Sequence, residues 1–256
     1  MSNEIQFSVT GNVATIILNR PEKLNAMTRS MTASLKEFAA NCNADDEVRV
    51  VILTAEGDRA FCAGSDIVDL DSYKTLWEWR THTGYCEAMR SIKKPTIAAI
   101  NGWALGGGLE MALGCDIRIA AAGAKFGAPE IKLGWIGGGG MSVLLAEAIG
   151  SSNAAMMLMT GDPIDSEKAL NWGLISEVSP VENLRERANE LAVAIASRAP
   201  IAAECAKSNL KAAFSMSRED AINYERDLQV ICFATEDADE GRAAFKEKRP
   251  ANFTGR

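Results

Sequence analysis

Histidine is almost absent from this sequence: His82 is the only one in 256 residues. A Ser-His-Asp or Cys-His hydrolase would have to use it. It lies in the polar, helical-looking stretch EWRTHTGYCEAM, and the chain has no Gly-x-Ser-x-Gly elbow. His82 therefore reads as solvated or incidental. Paired cysteines are also lacking. Cys42, Cys62, Cys86, Cys115, Cys205 and Cys232 are scattered without a CxxC. That spacing fits reduced, mostly buried thiols better than a disulfide framework or a zinc site, and no metal is expected. No apolar stretch reaches the roughly 18 residues needed to span a bilayer. The opening MSNEIQFSVTGNVATIILNR lacks a basic n-region and is not an Arg-rich, acid-poor transit sequence. It reads as the first strands of a cytoplasmic protein without a membrane partner. Basic charge is not in excess either. The net charge of −7 argues against a broad nucleic-acid footprint, while leaving room for a local basic pocket.

What remains is ordinary for a globular protein with a large core: 47% apolar and 24% charged residues. In the first half, β-rich runs (IQFSV, VATIILN, VRVVILTA, PTIAAING, DIRIAA) alternate with the helical patterns SMTASLKEFAANCN and SYKTLWEWRTHTGYCEAMRSI. Strands interleaved with helices predict an α/β core. From about residue 139 the pattern is helical, with one strand-like interruption at LISEVS. Pro200 marks a break, and Ser217 is a candidate N-cap for SREDAINYERDLQVICFA. We expect a core over residues 1–196 and a helical oligomerisation region over 197–256.

Three segments carry chemistry. In ALGGGLEMALG, Gly106, Gly107 and Gly108 separate a strand-like run from a helix that contains Glu110. Amides at a helix start lack intrahelical partners and carry the positive end of the dipole. Without Cβ atoms around them, a substrate carbonyl oxygen can approach closely, as in an oxyanion hole. Close backbone packing would use the same glycines. No Gly-Lys-Ser/Thr follows for a phosphate loop, and the GxGxxG spacing is missing. The second segment, AEGDRAFCAGSDI, places Gly64 and Ser65 between a strand and a short helix, so the Ser65 amide is a candidate second donor. The third, KFGAPEIKLGWIGGGG, carries Glu130 in an apolar setting. Glu110 and Glu130 are joined through the strand-like DIRIAA. Two carboxylates around a dry pocket can exchange protons, because burial and mutual repulsion raise the pKa of at least one. Alone, either one suits a salt bridge or a cap.

Together these stretches resemble the crotonase, or enoyl-CoA hydratase/isomerase, superfamily. The resemblance rests on LNRPEKLNAMT, AFCAGSDI, KPTIAAINGWALGGGLEMALGCDIRIAA, KFGAPEIKLG and EGRAAFKEKRPANF, which cover almost the whole chain. It implies a spiral of ββα units with a C-terminal helical trimerisation region, commonly assembled as a dimer of trimers. It also implies an acyl-CoA substrate, with coenzyme A carried on the substrate and no separate cofactor. The amides of Ser65 and Gly107 would polarise the thioester carbonyl. Coenzyme A would run along Lys23, Leu24 and Ala26, and along Cys62, Ala63, Ser65, Asp66 and Ile67, with Phe245 and Lys248 reaching it from the tail. Glu110 would orient and deprotonate the water attacking C3, and Glu130 would exchange the proton at C2, as in the hydratases. An isomerase or specialised dehydratase on the same fold, and a non-catalytic acyl-CoA-binding protein, are the alternatives. One departure from the family is GWIGGGGMSVLL, which lacks the usual Ile-Pro-Gly and Gly-Gly-Thr-Gln/Arg-Arg run. Trp135 there is expected to narrow the pocket. Tyr73, Trp77, Trp79 and Tyr85 are expected at the acyl end, suiting a cyclic or aromatic acyl group, or else as helix packing.

Overall fold

The computed structural model describes residues 3–256. Met1 and Ser2, which open the expected core segment, lie outside the described residues. β1 (Ile5–Thr10) and β2 (Val13–Leu18) pair antiparallel. The long helix α1 (Arg29–Ala44) then leads to β3 (Val50–Ala55), which runs parallel to β2. Thr28 caps α1, its side chain accepting from the Met31 amide.

From β3 the chain repeats one move: a strand enters a large sheet, a shorter strand enters a second sheet, and helix follows. The first turn comprises β3, β4 (Ala60–Cys62), α2 (Ile67–Leu70), α3 (Leu76–Thr81) and α4 (Tyr85–Arg90). The second comprises β5 (Thr96–Ile100), β6 (Trp103–Leu105) and α5 (Gly107–Leu113). The third comprises β7 (Ile117–Ala121), β8 (Lys125–Gly127), α6 (Met141–Ile149) and α7 (Ser151–Thr160). This is the spiral of ββα units that the resemblance implied. β9 (Ile164–Asp165), α8 (Ser166–Trp172) and β10 (Glu177–Ser179) complete the sheets. The large sheet has the order β1-β2-β3-β5-β7-β10 and the second β4-β6-β8-β9.

The central strands are buried on both faces, which is why they read as continuous apolar runs. Alternation divides them. Val51 and Leu53 of β3 join the main core, while Val50 and Ile52 face α9 (Leu184–Ala196). That helix presents Leu184, Ala188, Ala192 and Ala196 at a spacing of four, so one small-residue face lies flat on the sheet. Three more helices follow: α10 (Pro200–Ala212), α11 (Arg218–Phe233) and α12 (Glu236–Glu247). Pro200 opens α10, and the Ser217 hydroxyl caps α11 by accepting from the Asp220 amide. Buried Lys207 ties α10 to the core, donating to Asp116 Oδ2 at 2.8 Å and to the Lys94 carbonyl at 2.9 Å.

The structure corrects two readings and resolves one apolar stretch. SYKTLWEWRTHTGYCEAMRSI is not one helix: α3 ends at Thr81, His82 is extended, and α4 starts anew after Gly84, whose amide donates to the Glu87 carboxylate. The strand-like run from PTIAAING to the triple glycine is not one strand, because the chain leaves the large sheet after Ile100 and enters the second at Trp103. Met141–Thr160 is long and apolar enough to resemble a membrane span, yet it breaks at Gly150, which has φ 77° and ψ 156°. Neither resulting helix alone spans a hydrocarbon core.

Asn25 anchors the loop that precedes α1. It is fully buried with φ 55°, a left-handed conformation that asparagine tolerates better than most residues. Its amide donates to the carbonyls of Glu56 (3.0 Å) and Ala60 (2.8 Å), and its oxygen accepts from the Arg20 amide (2.8 Å). Asn25→Ala is expected to destabilise the protein by about 3 kcal/mol, through unmatched buried partners and backbone strain. Urea denaturation would measure this loss.

Candidate active site

Strands β4, β6 and β8 are parallel neighbours, so the loops that leave their C-terminal ends emerge side by side. After β4 comes Gly64-Ser65, after β6 the triple glycine, and after β8 the segment that carries Glu130. Cys62 pairs with Ala104, and Leu105 with Gly127. The Gly106 amide continues the β6–β8 pairing, donating to the Gly127 carbonyl at 3.0 Å. The register alone thus delivers all three segments to one edge.

Ser65 and Gly107 present their amides there. Met27 bonds to the carbonyl of Gly64 at 2.8 Å and accepts from the amide of Asp66 at 2.9 Å. Backbone groups alternate along an extended segment, so the amide of the intervening Ser65 faces away from Met27. Gly107 is the first residue of α5, where an amide has no intrahelical acceptor. Among the described residues neither amide has a protein acceptor. The two loops interlock: Gly64, at φ 99°, would place a Cβ 3.2 Å from the Gly107 nitrogen. Gly106, at φ 53° and ψ −129°, makes the sharp turn into the helix. A Cβ on Gly108 would lie 2.1 Å from the Cys62 carbonyl oxygen.

Glu110 is 5% exposed. Its Oε1 accepts from the amides of Gly139 (2.7 Å) and Met141 (3.1 Å), and its Oε2 from the Cys86 thiol (3.6 Å). All three of these hydrogen-bond partners donate to the Glu110 side chain. Glu130 is placed differently. Pro129 opens a short 3-10 turn, Pro129–Leu133, which sets the Glu130 side chain against Gly106. Its Oε2 is buried without a hydrogen-bond partner. Burial, helped by the charge of Glu110, raises the Glu130 pKa above the usual carboxylate range. The structure therefore brings Ser65, Gly107, Glu110 and Glu130 around one turn.

The other expected residues are more dispersed. Lys23 is exposed, and Leu24 turns left-handed at φ 53°. The Leu24 carbonyl accepts from the Ala63 amide, so the Leu24–Ala26 and Cys62–Ile67 segments lie together. Cys62 itself is a core residue whose thiol is pushed up to about 12 by burial. Asp66 caps α2 and pairs with Arg20 at 2.6 Å, which holds its carboxyl below the usual range. Ile67 is largely exposed. Phe245 (86% exposed) and Lys248 lie at the end of α12, which packs on α11.

Sequence reasoning missed the partners of Glu110. Gly139, Met141 and Cys86 come from elements with no local signature, although the unexplained GGGG run was a signal. A Cβ at Gly139 would lie 2.5 Å from Glu110 Oε2, and one at Gly137 2.7 Å from Oε1. Only glycine fits against that carboxylate. Arg90 donates to the Gly139 carbonyl and fixes the loop.

The Tyr85 phenol also belongs to the site. It bonds Ser65 Oγ at 2.9 Å and lies over Gly107, and burial keeps it protonated well above its ordinary range. Ser65 and Tyr85 wall a cavity of about 280 Å³ that Tyr73, Trp79 and His82 also line. Trp77 is not part of it: α3 turns that ring outward, 74% exposed. Trp135 donates its amide to the Glu130 carbonyl and leaves its indole partly exposed.

Known proteins share this arrangement of chain. The sequence profile of the family described as enoyl-CoA hydratase/isomerase matches residues 8–256. The mitochondrial enoyl-CoA hydratase of Pongo abelii is 41% identical over 249 residues, covering 94% of this chain and 83% of the relative. The crotonyl-CoA hydratase of Syntrophomonas wolfei is 36% identical, covering 94% of each. The crystal structure of enoyl-CoA hydratase from Bacillus anthracis superposes with a TM-score of 0.93 at 35% identity, covering 99% of this chain and 100% of that one.

The glycines differ in what they would displace. A Cβ at Gly107 would fall 1.8 Å from the Tyr85 hydroxyl, a movable side chain, whereas one at Gly108 meets backbone. Gly108→Ala is expected to lower the melting temperature strongly in any background. The stability lost in Gly107→Ala is expected to be recovered largely in Gly107→Ala/Tyr85→Ala, a coupling read from a thermal double-mutant cycle.

Proposed function

The chain belongs to the enoyl-CoA hydratase/isomerase family, and from that premise we propose how it works as an enoyl-CoA hydratase, a carbon–oxygen lyase that adds water reversibly across the 2,3 double bond of an enoyl-CoA thioester. The reading is carried by the asymmetry of two carboxylates around one glycine turn: Glu110 among donors only, Glu130 with a buried, partnerless oxygen.

The thioester oxygen accepts from the amides of Ser65 and Gly107, which are preorganised for the negative charge that develops on it. Glu110 takes a proton from water as the water oxygen bonds to C3. The π electrons of the double bond move toward the thioester oxygen, giving an enolate. Glu130, in the protonated form that its burial favours, delivers its proton to C2 as the carbonyl reforms. At the end Glu110 holds the proton from water and Glu130 has lost its own, so solvent exchange resets the pair. The scheme needs neither metal nor redox cofactor, and coenzyme A enters as part of the substrate.

Coenzyme A lies along Lys23, Leu24, Ala26 and Cys62–Ile67, and the acyl end reaches the cavity walled by Tyr73, Trp79 and Tyr85. Phe245 and Lys248 complete the nucleotide end, on the same or a neighbouring subunit. Residues 197–256 form the oligomerisation region of a homotrimer or a dimer of trimers. The exposed Leu210, Phe214, Val230 and Phe233 support that assembly. Six free cysteines favour a reducing compartment, the cytoplasm.

Incubation with a 2-enoyl-CoA in oxygen-18 water is expected to bleach the conjugated-thioester absorbance and place the label on C3. Label-free migration of the double bond would instead make it an isomerase. Glu110→Gln and Glu130→Gln are each expected to reduce kcat by about 100-fold or more, with CoA-thioester binding retained. Unchanged turnover in either variant would remove that carboxylate from the scheme.

The raised Glu130 pKa also fixes a sign. Hydration requires protonated Glu130, so its kcat falls as pH rises through that elevated value. Dehydration requires the ionised form and rises over the same interval. Stopped-assay pH profiles in both directions would check this.

A further inference from the structure

We propose that Cys86 is a positioning residue of the reaction, its protonated thiol fixing the Oε2 oxygen of Glu110 toward the attacking water. This rests on the role of Glu110 described above. The break between α3 and α4 places Tyr85 and Cys86 consecutively at the start of α4, so the phenol reaches Ser65 while the thiol reaches Glu110. Cys86 Sγ lies 3.6 Å from Glu110 Oε2 and 3.6 Å from the Gly107 carbonyl oxygen. A thiol has one hydrogen to give, and the ionised acceptor takes it in preference to the neutral one.

Three observations make this more than packing. The thiol remains a donor, because burial, with the charge of Glu110 beside it, pushes its pKa well above the ordinary value. Both side chains close on the same bare backbone: a Cβ at Gly139 would lie 2.7 Å from Cys86 Sγ and 2.5 Å from Glu110 Oε2. The carboxylate is also held unequally. Oε1 accepts two amide hydrogens, whereas Oε2 accepts only the weak S–H bond. Oε2 is therefore the oxygen with lone-pair capacity left for water, and a weak donor orients it without competing strongly for its electrons. A thiol suits that task better than a strong donor.

Two measurements test the inference. In a 2-enoyl-CoA hydration assay, Cys86→Ala is expected to lower kcat about five- to tenfold with KM within about twofold. The acid limb of its kcat/KM profile is expected to move to higher pH, because a donor to the ionised base has been removed. Cys86→Ser, which restores a donor, should return the limb and part of kcat. Unchanged kcat and pH profile in Cys86→Ala would overturn the proposal, as would equal losses in the alanine and serine variants accompanied only by a lower melting temperature.

The second measurement needs no turnover and so separates this inference from the hydratase reading. The infrared S–H band lost in Cys86→Ala should lie at the low-frequency end of the thiol region, and Glu110→Gln should shift it upward. A Cys86 band indifferent to Glu110→Gln would show that the thiol does not serve that carboxylate. A wild-type chain inert toward every 2-enoyl-CoA, with the band shift present, would refute the hydration scheme and leave the thiol–carboxylate contact established.

Discussion

The site depends on one constraint: β4, β6 and β8 run parallel in fixed register and end at the same edge of the second sheet. Hydrogen bonding between these short strands converts three distant pieces of sequence into neighbours. Ser65 and Gly107 arrive as backbone, and Glu130 arrives on a turn begun by proline. A slip of one residue in β6 would invert the faces of the triple glycine and carry the Gly107 amide away from Ser65. The large sheet, with α9 laid flat across it, is the rigid support on which this small sheet is built.

Given that edge, the environments of the two carboxylates separate. Glu110 sits one turn into α5 and meets the glycine-rich entry to α6, where amides satisfy it. Glu130 meets the bare Gly106 backbone, and its Oε2 has no hydrogen-bond partner. The opposite protonation tasks proposed for the two carboxylates rest on hydrogen-bond supply on one side and its lack on the other. The glycines serve both ends of this arrangement. They leave the backbone bare at the proposed oxyanion donors, and at Gly137 and Gly139 they make room for the carboxylate itself.

The sequence made the α/β class legible, because doubly buried strands read as apolar runs and the triple glycine marks a strand-to-helix turn. Ser65, Gly107, Glu110 and Glu130 were legible as candidates, since glycines and isolated acids in apolar surroundings are rare enough to notice. Their convergence was not readable from composition; the family resemblance supplied it. Two boundaries misled. Asn101-Gly102 joins strands of different sheets, and the TGY break divides a long polar helical pattern, because periodicity reports burial and says little about where a chain changes direction. The contacts of Cys86, Arg90 and Met141 with the site were silent for the same reason: each is an ordinary residue whose importance lies in what stands across from it.

The donor proposed at Ser65 is part of the main chain, so the genetic code has little purchase on it. Nearly any missense change at position 65 leaves the N–H in place and alters only what projects into the pocket; proline alone deletes the donor outright. Inherited variation can therefore remodel the walls around the proposed thioester site while its backbone donor passes unaltered from one version of the protein to the next.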